Sequence, residues 1–118
     1  MHFGWQTRLA RSSEINRVFK EGKRHNCGVF LLIAAERSPE ARVERTPRLC
    51  VIVSKRISKR APDRNLLKRR FRALYREYHE LLPDHLDLIL IARQGMLTTP
   101  YAELQQRFKK ACAKLKGI

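Results

Sequence analysis

Acidic residues are scarce in this chain. Against 26 Lys and Arg stand only 11 Asp and Glu, giving a formal net charge of +15 over 118 residues and a pI near 10.7. Such an imbalance says nothing about fold, but it narrows the partners to a polyanion or an anionic surface. A stretch of about 18 uncharged apolar residues is also missing, which argues against a membrane span. The N-terminal MHFGWQTRLARSSE lacks the apolar core and small-residue cleavage site of a signal peptide, so a cytoplasmic location is the expectation. Cys27, Cys50 and Cys112 are odd in number and form no C-x-x-C pair, which excludes a disulfide framework and leaves three small buried hydrophobes. His2, His25, His79 and His85 show no ligand spacing, so no metal site in the protein is expected.

What is present reads as one domain with a modest core. A hydrophobic fraction of 43% suits a folded chain. Ser12 and Ser13 cap a short first helix, Ile15, Val18 and Phe19 form its apolar stripe, and Gly22 stops it. Cys27 to Glu36 is an apolar strand with room for a shorter one before it. Arg37 to Pro47 is charged, carries two prolines and reads as an exposed loop. RLCVIVSKR places Leu49, Val51 and Val53 on one face and Cys50, Ile52 and Ser54 on the other, the pattern of an interior strand. A long helix is expected over Pro62 to Leu82, a strand over residues 86 to 95, and a final helix opened by Thr98-Thr99-Pro100. The first eight residues, including Trp5, are expected to form a tail. Helices packed on a sheet, an α+β architecture, follow from that order.

The long helix carries the strongest signal. At 100° per residue, Leu67, Phe71, Leu74, Tyr75, Tyr78, Leu81 and Leu82 share about a third of the wheel and must be buried. Arg64, Asn65, Lys68, Arg69, Arg72 and Arg76 occupy an adjacent arc of about 140°, while Arg70 and Glu77 lie off both. A solvated face would mix Glu with Lys four residues apart, and like charges at that spacing repel. This face carries no acid. It reads as a phosphate-binding ridge, rich in Arg for forked contacts, extended upstream by Lys55, Arg56, Lys59 and Arg60.

Arg64-Asn65-x-x-Lys68-Arg69-x-x-Arg72, after a strand ending VSKR, resembles the RNR signature of the bacterial ribonuclease P protein subunit. The likeness runs through Phe19 on the opening helix, VIVSKRISKRAPDRNLLKR, LDLILIARQG and the closing amphipathic helix. It implies a two-layer α/β sandwich of order α-β-β-β-α-β-α, with a long basic central helix and a left-handed β-α-β crossover. It implies partners too: the catalytic RNA of ribonuclease P, in a 1:1 complex with a monomeric protein, and the 5′ leader of precursor tRNA. Mg²⁺ serves the RNA-containing holoenzyme. By the same resemblance Arg64, Asn65, Lys68, Arg69 and Arg72 contact the catalytic RNA, and the arc adds Arg76. Phe19, Ser54, Lys55 and Arg56 line a leader cleft between the first helix and the sheet. Two departures stand out. Leu66 replaces the second Arg of the signature, and an aromatic usual near Ile15 is absent.

No paired histidines or carboxylate cluster suggests protein-based cleavage, so the protein is expected to bind and position while the RNA does the chemistry. A ribosomal or other structural RNA-binding protein is the alternative that composition leaves open. A DNA reader would need base-reading side chains, and only Asn65 qualifies. Phe19 suits either a core position or base stacking; Phe30 suits the core.

Overall fold

The structure, a computed structural model, describes residues 12–37, 47–83 and 85–115. The elements are α1 (Ser12–Glu21), β1 (Lys23–Asn26), β2 (Phe30–Glu36), β3 (Arg48–Ile52), α2 (Ala61–Tyr78), β4 (Leu86–Ala92) and α3 (Tyr101–Leu115). The order is α-β-β-β-α-β-α, and the mixed α+β class follows. The four strands form one sheet in the order β1-β2-β4-β3. β2 is antiparallel to both β1 and β4, whereas β3 and β4 run parallel and are joined through α2.

Period-two alternation splits the apolar residues between the two faces of the sheet. Phe30, Leu32, Leu49, Leu88 and Leu90 point to one side and meet Leu67, Phe71 and Leu74 of α2 and Leu104, Phe108 and Cys112 of α3. Phe30 and Phe71 pack edge to face within this layer, centroids 5.7 Å apart. Leu31, Ile33, Ala35 and Ile89 point to the other side and meet Val18 of the short α1. The interior strands are β2 and β4, apolar on both faces as the LDLILIA run requires. β3, read from RLCVIVSKR as an interior strand, is instead an edge strand that pairs with β4 alone. Its Cys50, Val51 and Ile52 are only half-buried, their apolar side chains packing against the helices on either face rather than under a further strand. Gly22 ends α1 where its N–H returns to the Val18 carbonyl at 2.8 Å, and a Cβ there would collide with that same oxygen.

Three boundaries and the burial of one residue differ from the expectation. α2 ends at Tyr78, and a 3₁₀ turn over His79–Leu81 replaces its last turn. Pro83 forces Leu82 into an extended conformation and so sets the stop. β4 ends at Ala92, because Arg93 opens a turn that closes through Gly95 at φ +93°. The apolar run starting at Cys27 becomes strand only at Phe30, after a turn in which Gly28 adopts φ +85° and donates to Asn26 Oδ1. The expected short strand before it is β1.

The fourth difference matters more. Arg37, expected in an exposed loop, is 1% exposed. Its Nε lies 3.2 Å from the carboxylate of fully buried Asp87, a partner that holds it inside. Residues 38–46 of that loop and the N-terminal tail with Trp5 fall outside the described residues. Cys27 and Cys112 are buried as expected, and Cys50 is half-buried.

Candidate nucleic-acid interface

α2 turns its four apolar positions Leu67, Phe71, Leu74 and Tyr75 fully inward. That fixes the rotation of the helix and so the direction of the basic arc. Asn65, Arg69 and Arg76 are exposed, and Arg64, Lys68 and Arg72 are half-exposed. Among the described residues, Arg64, Lys68, Arg69 and Arg72 have no ion-pair partner, so their charge is not neutralised internally. Arg70 and Glu77, the two charges off both faces, occupy the flank toward α3. Glu77 accepts from Gln105 Nε2 at 3.0 Å and from the Tyr101 hydroxyl at 3.3 Å, and Arg70 reaches the Thr99 carbonyl. Helix packing thus consumes the one acid of the exposed surface of α2 beyond its first turn. Leu66 is half-buried away from the ridge, so no gap opens in the row of cations.

The loop before α2 is held in shape by its own hydrogen bonds. The Ser58 hydroxyl donates to Asp63 Oδ2 at 3.0 Å and accepts the Arg60 N–H at 3.1 Å. Arg64 Nη1 donates to the Ser58 carbonyl at 2.8 Å. Lys59 and Arg60 remain exposed at the mouth of the helix, Arg60 only loosely paired with Asp63 at 3.9 Å.

The residues expected to line a leader cleft fall into two groups. Ser54 and Arg56 line a shallow pocket of about 520 Å³ at the C-terminal ends of β3 and β4, together with Gly28, Ile57, Arg93 and Gln94. Lys55 is exposed in the adjoining turn. Phe19 is not in that pocket. It stands half-buried on the α1 face of the sheet, packed with the cluster that also draws on Ile15, Cys50, Ile52 and Ile91. β3 ends at Ile52 and β4 at Ala92, so Ser54 and Arg93 lie beyond the strands, and the pocket they line also takes in Ile57 and Ala92 from the α2–α3 side of the sheet. The apolar strip beside α1 and the pocket with Arg56 and Arg93 share no lining residue; they meet only through the chain at the ends of β3 and β4.

Arg93 and Gln94 were missed in the sequence because they read as the tail of a strand. The turn at Gly95 instead swings both into the pocket. Arg93 Nη1 donates to Asn26 Oδ1 at 3.3 Å and Gln94 Nε2 to the Arg56 carbonyl at 2.9 Å, which links the two strand ends.

The position of α1 over this strip is set electrostatically. Asp87 accepts from Arg17 of α1 at 2.7 Å and from Arg48 of β3 at 2.8 Å, while Arg48 also pairs with Glu14 of α1 at 2.9 Å. A fully buried carboxylate with charged donors on a helix and a strand locks one to the other. No group of three or more His, Cys, Asp or Glu positioned to hold a metal occurs among the described residues, and no helix among them is long and apolar enough to cross a membrane.

Comparison with known proteins places this arrangement. The Ribonuclease P family model matches residues 3–116. The ribonuclease P protein component of Marinomonas sp. (strain MWYL1) is 34% identical over 110 residues, 92% of this chain and 79% of that protein. The RNase P protein of Staphylococcus aureus superposes with a TM-score of 0.77 at 23% identity, covering 92% of this chain and 96% of the other. The RNase P protein of Thermotoga maritima gives 0.74 at 23% identity, covering 94% and 96%. At that identity the two structures speak for the fold.

Proposed function

The chain belongs to the family of ribonuclease P protein components, and from that premise we propose that it binds the catalytic RNA and assists removal of the 5′ leader from precursor tRNA. In this reading α2 lies against the RNA, with Arg64, Asn65, Lys68, Arg69, Arg72 and Arg76 toward its phosphates. The observation that carries it is a row of cations on a helix whose opposite face is locked into the core, of which Arg64, Lys68, Arg69 and Arg72 have no carboxylate partner among the described residues. Phosphates opposite the row relieve its self-repulsion, and each contact releases condensed counterions.

The leader lies along the α1 face of the sheet. Phe19, Ile52 and Ile91 offer apolar surface for unstacked bases. Ser54, Lys55, Arg56 and, by the pocket geometry, Arg93 take the backbone at the cationic mouth. Lys59 and Arg60 extend the charge between cleft and ridge. The protein works as one RNA-binding unit in the cytoplasm, monomeric in a 1:1 complex with the RNA. Cleavage belongs to the RNA and its Mg²⁺ ions. The protein contributes binding energy and screens repulsion between the two RNA strands it holds, which lowers the Mg²⁺ needed.

Family membership favours tRNA processing over the ribosomal alternative. The test is leader removal by a ribonuclease P RNA from precursor tRNA at low Mg²⁺, with and without the protein. Stimulated cleavage is expected, and none with protein alone. An RNA that cleaves at high Mg²⁺ but gains nothing from the protein at low Mg²⁺ would overturn the proposal.

A further inference from the structure

A second basic surface lies at the other edge of the sheet. α2 packs beside β3, whereas α3 reaches across to β1. Arg107 Nη1 donates to the Cys27 carbonyl at 2.8 Å, which pins the middle of α3 to the β1–β2 turn. On the α3 wheel Arg107, Lys110 and Lys114 fall within about 60° of one another. They occupy the flank away from Tyr101 and Gln105, the residues that meet Glu77 of α2. From β1, Lys23 and His25 point to the same side, since they pair with Ala34 and Leu32, which both face the α2–α3 layer. The surroundings of His25 show that Lys23 of β1 and Lys114 of α3 converge. Its pKa is lowered first by burial, then by Lys114 and by Lys23.

Two ordinary explanations fall short. Lys114 in the last turn of α3 complements the helix dipole, but Lys110 sits a turn earlier and repels Lys114 at i,i+4. Charge on the edge strand β1 blocks strand addition, but either sign would serve. Among the described residues Lys23, Lys110 and Lys114 have no carboxylate within ion-pair distance; Glu21 and Glu36 line one pocket with Lys23 without pairing to it, and Glu103 of α3 is held by Arg107 at 3.6 Å. The sign and the convergence are what need a cause.

We infer that Lys23, Lys110 and Lys114, organised around the Arg107 anchor, form a second RNA-backbone contact surface, separate from the α2 ridge and the α1-side cleft. Three strand spacings, about 14 Å, separate β1 from β3, so the phosphates it binds are not those on the ridge. The protein then bridges two RNA segments rather than resting on one. This inference rests on the proposed function for the choice of RNA.

The experiment measures binding of a ribonuclease P RNA across a salt series for wild type, Lys23→Gln/Lys110→Gln/Lys114→Gln and Arg69→Ala/Arg72→Ala, each checked by thermal melting. The triple variant should lower the slope of log affinity against log salt by about two to three units. The ridge variant should lower it independently, so that the combined variant shows the sum. A triple variant with the wild-type slope overturns the inference while a ridge loss leaves the proposed function standing; loss in neither overturns both. A second readout needs no substitution. The His25 ring, followed by NMR, should titrate at higher pH in the RNA complex than in the free protein, because bound phosphate cancels Lys23 and Lys114. An unmoved His25 overturns the inference as well.

Discussion

Arg48 and Asp87 face each other across the parallel β3–β4 pair, in register, and their side chains close a two-pronged contact with Nε–Oδ1 and Nη2–Oδ2 both at 2.8 Å. Asp87 is fully buried and Arg17 completes its shell from α1. Removing the carboxylate takes from buried Arg37, and from Arg17 and Arg48, the counter-charge they share, and leaves Glu14 alone to pair with Arg48. Asp87→Ala should therefore lower stability by about 3–5 kcal/mol, and Asp87→Asn by a comparable amount despite its matched shape. Chemical denaturation checks this. A loss under about 1 kcal/mol for both would show that the network is not a structural keystone.

Tyr75 predicts an alkaline weakness. Its hydroxyl donates to the Pro47 carbonyl at the entry to β3, and burial above all pushes its pKa up to about 12, with Arg37 pulling the other way. The unfolded chain ionises near 10. Stability from this group is thus complete below pH ~10 and is lost as pH climbs from about 10 to about 12. Tyr101, also raised to about 12 by burial and then by Glu77, adds to the same arm. Tyr75→Phe should cost about 1–2 kcal/mol at neutral pH through the unpaired carbonyl, yet flatten the alkaline decline. An unchanged decline in a pH series of melts would refute the assignment.

The thiols give a third check. Burial pushes Cys27 to about 11 and Cys112 to about 12, and it also raises Cys50. Since the thiolate is the reactive form, all three should react with a disulfide reagent at pH 8 far more slowly than a free thiol. Cys50, half-exposed on the α1 face, should lead. Fast labelling of Cys112 without unfolding would contradict its place in the core.

Residues with strict periodicity were legible from the sequence. The inward stripe of α2, the basic arc beside it and the two-faced apolar run of β4 follow from local spacing and the need to bury apolar faces, whereas the same pattern in β3 did not show that it lies at the sheet edge. What was not legible depends on contacts between distant segments. Nothing near Arg37 announces Asp87, fifty positions on, so the arginine reads as a loop residue. Arg93 reads as strand because LDLILIA runs straight into it, and only the Gly95 turn redirects it. The α3 cations look like an ordinary helix end until β1 is seen alongside them. The ridge could be read from one helix, but the cleft needed β3, β4, α1 and the β1–β2 turn.

The proposed division of labour between ridge and cleft yields the last prediction. Arg56 and Arg93 line one pocket from two strand ends, and the turn that holds them is tied by Gln94 to the Arg56 carbonyl. Neither packs into the core, so Arg56→Ala/Arg93→Ala should leave the melting temperature within a degree or two. If these groups hold the leader, precursor tRNA carries phosphates there that mature tRNA lacks. With the protein bound to its RNA, the double variant should then weaken precursor binding by roughly tenfold or more, the loss of about 1.4 kcal/mol or more, and leave mature tRNA unchanged. Arg69→Ala/Arg72→Ala should do the opposite, weakening assembly with the RNA while sparing the precursor preference of whatever complex forms. Equal losses for both tRNAs in the pocket variant would mean that the mouth serves general RNA affinity and that the leader runs elsewhere.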